Sequence, residues 1–164
     1  MILDFFKRKK KPVTSPPPDP RARIHPNQLG DVGQYGEDKA AEYLFLHGYK
    51  IIERNIKYGK LEIDIIAENE RYLVFAEVKT RTFYSDDSKY GPPSAAVNAK
   101  KKNNVRSAAR AYLNERGYDK KPRLDIIEVY LNKSPDGYSL KSINHIEGAF
   151  GGQIFPSQQR NYRK

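Results

Sequence analysis

Two stretches of the chain carry apolar residues at the spacing of an amphipathic helix. In the first, these residues are Tyr35, Ala40, Tyr43, Leu44 and His47, and Gly48 stands where such a helix would end. The second stretch follows Pro93 and covers residues 94–116, with Gly117 at its end. Its packing side consists of Ala96, Val97, Val105, Ala108, Ala109, Tyr112 and Leu113. The pattern therefore predicts two helices that each bury one face.

Short apolar runs separated by turn residues make up most of the remaining middle of the chain, which is typical of β-strands. The predicted strands cover residues 50–57, 61–68, 71–80, 123–131 and 138–146. Gly59 and the pair Asn69-Glu70 mark turns between the first three, and residues 134–137 mark the turn between the last two. The resulting order α-β-β-β-α-β-β predicts an α/β domain with a central mixed sheet flanked by helices.

The two ends of the chain differ from this middle in composition. Residues 1–29 combine the basic run 7–11 with prolines at positions 12, 16, 17, 18 and 20, a composition that supports neither a helix nor a sheet ladder. We predict a disordered basic arm over residues 1–29, one folded domain over residues 30–150 and a flexible basic tail over residues 151–164. Most of the net charge of +10 lies on the two ends, so the total charge is weak support for a nucleic-acid partner.

Several classes of protein are disfavoured by what the sequence lacks. The chain has no cysteine, so disulfide frameworks and thiolate metal sites are excluded. It has no apolar run of the roughly 20 residues that a membrane span needs, and its start does not have the order of a secretory signal. His25, His47 and His145 are not spaced as metal ligands, and no phosphate-binding loop or dinucleotide fingerprint is present. We therefore expect a cytoplasmic protein without a membrane partner.

The third predicted strand is apolar almost without interruption from Tyr72 to Val78, as expected when both faces of a strand are covered. Strict alternation places Leu73, Phe75, Glu77 and Lys79 on one side. In the preceding strand, alternation places Leu61, Ile63, Ile65 and Ala67 on one side, and Glu62 and Asp64 on the other. In a hairpin the start of one strand lies opposite the end of its partner, so Asp64 is expected near Glu77.

This pair of carboxylates has the chemistry of a metal site. Asp64 and Glu77, with the Val78 carbonyl, supply hard oxygen ligands for Mg²⁺ or Mn²⁺. Such an ion acidifies a water and neutralises charge on a phosphate, and Lys79 can orient that water or offset negative charge. The alternative is a buried Glu77–Lys79 ion pair, or a strand end that only reaches solvent. Asp125, within a later apolar strand, is expected to have a structural role beside a neighbouring Arg or Lys.

Residues 88–114 contain six basic residues and no acidic one, unlike the rest of the middle. Within this stretch Lys100, Lys101, Lys102, Arg106 and Arg110 are candidates for contacts with a nucleic-acid backbone, and positions 102, 106 and 110 share one helix face. The alternative is an ordinary solvated helix face. Because no sequence-reading motif is present, we expect recognition of structure or backbone.

Several ordered blocks of the chain together resemble a known family. They are GQYGEDKAA (33–41), GYKIIERN (48–55), EIDIIA (62–67), VFAEVKTR (74–81), YGPP (90–93), AV (96–97), RLDII (123–127) and HIEGAF (145–150). This pattern resembles the bacterial YraN-like family, which is in turn similar to the PD-(D/E)xK nucleases of restriction-endonuclease fold, especially the small Holliday-junction resolvases. The resemblance implies Asp64 and Glu77 as metal ligands, Lys79 as catalytic lysine and Glu37 as an additional acid. Without it, Glu37 reads as a first-turn acid favoured by the helix dipole.

The leading hypothesis from the sequence is a Mg²⁺- or Mn²⁺-dependent endonuclease acting on structured or branched nucleic acid, with DNA favoured over RNA. The first alternative is a catalytically silent nuclease-fold module that binds nucleic acid within a repair, uptake or processing assembly. The second is a protein-interaction subunit whose carboxylate site is vestigial. The intact set of Glu37, Asp64, Glu77 and Lys79 speaks against the second alternative. A homodimer is left open.

Overall fold

A computed structural model describes residues 32–83, 99–135, 137–151 and 154. Its elements are α1 (Val32–Leu46), β1 (Lys50–Tyr58), β2 (Leu61–Glu68), β3 (Tyr72–Phe83), α2 (Ala99–Arg116), β4 (Lys121–Ser134) and β5 (Gly137–Ile146). The predicted order α-β-β-β-α-β-β is therefore confirmed. The predicted arm over residues 1–29 and the predicted helical residues 94–98 lie outside the described residues. Neither described helix is long and apolar enough to cross a membrane.

The five strands form one mixed sheet in the order β1-β2-β3-β4-β5. β3 and β4 are parallel, with Glu77 beside Ile126, whereas the other three pairs are antiparallel. A parallel pair needs a crossover connection, and α2 lies within the connection from β3 to β4. β3 is thus the central strand, paired with β4 along its whole length and with β2 only as far as Ala76.

The two helices lie on opposite faces of this sheet, and each covers its own apolar cluster. Ala40 and Leu44 of α1 pack with Val74, Ala76 and Val78, the residues of one face of β3. On the other face, α2 packs on the sheet through Val105, Ala108, Ala109, Tyr112 and Leu113, which meet Leu73 and Phe75. The continuous apolar run of β3 is explained by this double cover, because both of its faces are removed from water.

The predicted alternation in β2 is wrong for its first half. Ile65 and Ala67 belong to the α1 cluster as expected, but Ile63 is fully buried in the α2 cluster. The ladder with β1 pairs Ile56 with Ile63 and Arg54 with Ile65, and passes over Asn55 and Asp64 between them. Asn55 has a φ of 53°, a conformation that favours glycine or asparagine and interrupts an extended strand. β2 therefore changes faces at Asp64.

Gly36 allows α1 to approach the sheet unusually closely. A Cβ atom at this position would overlap the Thr80 side chain of β3, whereas a Cβ atom at Gly33 would meet nothing within 4 Å. Only a residue without a side chain fits at this contact. The close approach fixes the next residue, Glu37, near the end of the central strand.

The folded domain continues past its predicted end at residue 150. Ile154 is buried in the α2 cluster. Arg106 of α2 donates hydrogen bonds to the carbonyl oxygens of Phe150 and Gly151, at 3.2 and 2.9 Å. Arg110 donates to the Ile154 carbonyl oxygen at 2.9 and 3.1 Å. The packed part of the chain therefore reaches at least Ile154.

Candidate active site

Asp64 lies where β2 and β3 separate. The ladder between these strands extends only as far as the pair Ile65–Ala76, one residue before Asp64. Beyond it, the Val78 amide of β3 donates a hydrogen bond to Asp64 Oδ2 at 2.7 Å. The side chain thus takes the place of a backbone acceptor, and it satisfies an amide that would otherwise lack a partner. This bond holds the Asp64 carboxylate beside the residue that precedes Val78, which is Glu77.

Glu77 is a carboxylate that is almost completely buried, with 2% of its surface exposed. Lys79 Nζ donates to Glu77 Oε1 at 2.7 Å, so the ion pair considered as the structural alternative is present. Lys101 Nζ of α2 lies 3.1 Å from Glu77 Oε2, but without the geometry of a hydrogen bond. We regard this contact as an ion pair, because the distance suffices for attraction whereas the bond angle does not. One oxygen of a buried carboxylate thus has no hydrogen bond among the described residues.

Lys101 lies at the carboxylate site, a position that the sequence does not predict. The sequence predicts only that it contacts a nucleic-acid backbone together with the other basic residues of the second helix. The structure directs its side chain to Glu77, where it is the second ammonium group at this carboxylate after Lys79. Its position in the basic run was the only signal, and that signal could not tell which of Lys100, Lys101 and Lys102 faces the sheet.

The pKa of Asp64 lies well above its ordinary value. Burial, and then the charge of Glu77, raise the pKa of Asp64 to about 7, although the Val78 hydrogen bond and the charge of Lys101 act in the opposite direction. An ordinary aspartate has a pKa of about 3.9. The main cause is the loss of water around the charged form, and the neighbouring carboxylate adds to it.

Glu37 approaches the same region from α1. It lies in the second turn of the helix, so the first-turn interpretation is wrong. Its Oε2 is buried without a hydrogen bond from the described residues and lies 3.9 Å from Arg54 Nη2, which donates to Asp38 at 2.6 Å. Burial raises the pKa of Glu37 in spite of a hydrogen bond from Asn55 and the charge of Arg54. The charge of Glu37 in turn contributes to the raised pKa of Asp64.

The residues present fit a divalent cation with oxygen ligands. Two buried carboxylate oxygens, Glu37 Oε2 and Glu77 Oε2, have no hydrogen-bond partner in the described part of the chain. A buried polar atom without a partner is costly, and a cation would remove the cost at these positions. Within the same residues, no three His, Cys, Asp or Glu side chains converge as a ligand set. The side-chain ligands would then be Asp64 and Glu77, with backbone and water completing the shell, which is how Mg²⁺ is usually held.

The other basic candidates of α2 are placed in different ways. Lys100 is exposed and Lys102 is half-buried. Arg106 and Arg110 use their guanidinium groups to hold the carbonyl oxygens of residues 150, 151 and 154. The structure therefore does not bring the predicted set into one free basic face, and phosphate binding by these residues stays a prediction.

A second buried carboxylate, Asp125 of β4, has the structural role expected for it. Arg123 donates to both of its oxygens, with distances of 2.8 to 3.1 Å. The Gly148 amide donates to Oδ1 at 2.9 Å, and His145 Nε2 lies 2.8 Å from Oδ2. The expected basic neighbour is therefore Arg123, and His145 belongs to the same hydrogen-bonded cluster.

Comparison with known proteins identifies relatives along most of this domain. The sequence profile of the uncharacterised protein family UPF0102 matches residues 36–129. A UPF0102 protein of Caldanaerobacter subterraneus subsp. tengcongensis is 44% identical over 120 residues, which are 73% of this chain and 93% of that protein. A UPF0102 protein of Clostridium botulinum is 42% identical over 117 residues, 70% of this chain and 92% of its own length. A UPF0102 protein of Acetivibrio thermocellus is 41% identical over 126 residues, which are 76% of this chain and 94% of that protein.

Proposed function

Because the chain belongs to the uncharacterised protein family UPF0102, whose description names no reaction, we propose from the chain's own site that it is a Mg²⁺- or Mn²⁺-dependent endonuclease that hydrolyses phosphodiester bonds in structured or branched DNA. The resemblance to the YraN-like family is confirmed by this membership. The observation that carries the proposal is the state of Glu77, a carboxylate 2% exposed with one oxygen that accepts no hydrogen bond from the described residues. It is held beside Asp64, a second carboxylate whose pKa is raised by burial and by the charge of Glu77.

Asp64 and Glu77 are the residues that would hold the cation, because they present hard oxygens from neighbouring strands at the point where the ladder opens. A cation bound there supplies an acidified water and positive charge against a phosphate. Asp64 is fixed for this role by its bond to the Val78 amide, so its carboxylate is already oriented.

The two lysines supply the remaining positive charge of the site. The Lys79 ammonium lies 2.7 Å from Glu77 Oε1, and 30% of its side chain is exposed, so it can donate to a water or a phosphate oxygen beside Glu77. There it would stabilise the negative charge that develops during hydrolysis. Lys101 lies at the other oxygen of Glu77 with 34% of its side chain exposed, and we assign it to the binding of the same phosphate.

One observation favours the alternative of a binding module without turnover. Glu77 already has an ammonium group at each of its oxygens, at 2.7 and 3.1 Å. Two cations compensate a single carboxylate without any metal, as they would in a purely structural cluster. In this alternative the same residues present a basic rim to the phosphates of structured nucleic acid, and no bond is broken.

The test is a cleavage assay of the full-length chain with Mg²⁺ or Mn²⁺ on linear, single-stranded, flapped and four-way DNA and on the RNA counterparts. We expect metal-dependent cleavage of the branched DNA, and a loss of about a hundredfold or more in Glu77→Gln, because charge stabilisation at a reacting phosphate is usually worth that much. The matched control is Glu68→Gln. Glu68 lies at the far end of β2, where its carboxylate pairs with Lys120 at 2.9 Å, and the variant should keep full activity.

A second readout separates the two hypotheses without relying on turnover. Calorimetric titration with Mn²⁺ should show binding to the wild type and to Glu68→Gln, and no binding to Glu77→Gln. In the absence of metal, Glu77→Gln should bind DNA at least as tightly as the wild type, because one negative charge that repels phosphate is gone. A wild type that cleaves no substrate but binds structured DNA would establish the binding module instead.

A further inference from the structure

We propose that an aromatic patch on the outer part of the sheet, formed by Arg81, Phe83, Tyr130 and Lys141, stacks with an unpaired base of the nucleic acid that enters the site. The inference deepens the proposed function, on which it rests, by naming unpaired bases as the feature that is recognised. None of these four residues belongs to the carboxylate site.

The patch begins with two rings on neighbouring parallel strands. Phe83 lies at the end of β3, and Tyr130 lies on β4 opposite Arg81. Their ring centroids are 5.7 Å apart with an angle of 27° between the planes, which is a stacked arrangement. Both side chains are half-buried, so part of each ring surface remains accessible. Two parallel rings of this kind form a platform on which a third flat ring can be placed.

An irregularity in β5 adds a positive charge to this platform. The ladder pairs Tyr130 with Ser142 and Leu131 with Leu140, so Lys141 is an extra residue between them. A bulge of this kind turns a side chain to a face that regular alternation would not give it. Lys141 Nζ lies 4.9 Å from the centre of the Phe83 ring, and the residue is exposed. The Lys141 ammonium group thus lies beside the two rings, where it can form an ion pair with a phosphate next to a stacked base.

The orientation of the Tyr130 ring is fixed by hydrogen bonds at the buried carboxylate of Glu128. Its hydroxyl group donates to Glu128 Oε2 at 2.9 Å, and Asn144 Nδ2 donates to the same oxygen at 2.7 Å. Glu128 is fully buried, so its carboxylate is shielded from a phosphate that approaches the patch. A ring held in one orientation loses little freedom when it binds a partner, and this favours stacking.

The patch lies on the same face of the sheet as the carboxylate site. Residues 77, 79, 81 and 83 point to one side of β3, because their pairing with β4 is regular throughout. Six residues at about 3.3 Å each place Phe83 about 20 Å along the strand from Glu77. Lys79 and Arg81 lie between these two points, so positive charge continues from the site to the patch. A nucleic-acid strand bound along this positive charge would reach the two rings. Only an unpaired base of that strand is free to leave its own stack and lie on them.

The chain contains no tryptophan, and a single one can therefore report on this surface. In Phe83→Trp, fluorescence should be quenched when single-stranded DNA or RNA is added in EDTA, because a base stacks on the new indole. The matched control is Phe45→Trp, since Phe45 is 57% exposed on α1 and away from the sheet face. Its fluorescence should not change. The RNA and DNA arms distinguish the two sources of an unpaired base.

Affinity is measured by fluorescence anisotropy with labelled single-stranded and duplex oligonucleotides of one sequence, again in EDTA. Phe83→Leu combined with Tyr130→Leu should weaken single-strand binding about tenfold and duplex binding less than about twofold, since one stacked base is worth about that factor. Tyr130→Phe should keep most of the affinity, because it retains the ring and loses only the hydrogen bond to Glu128 that orients it. If the double variant loses its fold, as judged by thermal unfolding, the Trp variants decide.

The proposal is overturned if Phe83→Trp is not quenched, or if the well-folded double variant binds single strands as tightly as the wild type. Both measurements are made without metal, so they do not depend on cleavage. A wild type that fails to cleave but shows the quenching and the tenfold loss would refute the endonuclease and leave the patch in place. A wild type that cleaves DNA, combined with no quenching in Phe83→Trp and no loss of affinity in the double variant, would support the endonuclease and refute the patch.

Discussion

Two buried carboxylate clusters lie at the centre of the sheet on opposite faces, and they differ in how completely their charges are matched. Asp125 is 0% exposed, and each of its oxygens accepts hydrogen bonds, from Arg123, His145 and the Gly148 amide. Although burial alone would raise the pKa of Asp125, these bonds hold it below its ordinary value. The pKa of Asp64 is raised to about 7 instead, and the neighbouring Glu77 has an oxygen without a hydrogen bond in the part of the chain that the structure describes.

The difference indicates that the Asp125 cluster stabilises the fold, whereas the cluster of Asp64 and Glu77 can accept a further positively charged partner. A buried charge with complete partners contributes to a unique packed structure, whereas removing one partner leaves an expensive orphan. A buried charge with incomplete partners destabilises the fold, and it persists where a ligand completes it. We therefore expect variants of the two aspartates to act in opposite directions on stability.

The largest effect is expected from Asp125→Asn. The change removes the buried carboxylate that pairs with Arg123 and leaves the exposed Glu147 as its ionic partner, so it should lower the free energy of unfolding by about 3–5 kcal/mol. Because the pKa of Asp125 is depressed in the fold, its contribution to stability is present above about pH 3.9 and is lost as the pH falls through the folded pKa. Urea denaturation at neutral and acidic pH measures both effects. A variant as stable as the wild type at neutral pH would refute the structural role.

The next effect concerns the contact that brings Glu37 to the carboxylate site. Gly36→Ala places a Cβ atom against Thr80, and overpacking of this kind costs about 1–3 kcal/mol. Gly33→Ala is the matched control in the same helix, because a Cβ atom there has open space and alanine should stabilise the helix by up to about 1 kcal/mol. Thermal unfolding compares the two variants. Equal stabilisation by both would show that the contact with Thr80 does not constrain α1.

An effect of similar size should distinguish two cations of α2, Arg110 and Lys102. Arg110→Ala removes two hydrogen bonds to the Ile154 carbonyl oxygen and should cost about 1.5–3 kcal/mol. Lys102→Ala on the same helix should change stability by less than about 0.5 kcal/mol and reduce the salt dependence of DNA binding by about one counterion. Denaturation and salt-dependent anisotropy measure the two effects. The same stability loss in both variants would contradict this division.

The last effect is a dependence on pH in the metal-free protein. The pKa of Asp64 is raised in the fold to about 7, so the proton stabilises the fold at low pH, and this contribution is lost as the pH rises from about 4 through about 7. Asp64→Asn cannot lose a proton, and its Tm should exceed that of the wild type by a few degrees near pH 8 but not near pH 5. Melting in EDTA across this range is the measurement. A Tm difference that does not change with pH would show that the Asp64 carboxylate is compensated.

Much of the fold and part of the site follow from local signals along the chain. The order of the elements was readable because helical spacing, apolar runs and turn residues each report on near neighbours in sequence. The approach of Asp64 to the region of Glu77 followed from a short hairpin, and the pairing of Glu77 with Lys79 followed from their positions on one strand face. Arg123 as the partner of Asp125 was equally local, since the two residues are separated by a single position.

The tertiary structure alone decided the features that depend on distant parts of the chain. The change of face at Asp64 requires β1 to break its ladder at Asn55, so alternation within β2 could not reveal it. Lys101 meets Glu77 only because α2 crosses the sheet, and Arg110 meets an oxygen 44 residues away. Periodicity records which face a residue occupies, but a hydrogen bond or ion pair depends on distances of a few ångströms that only the packed chain defines.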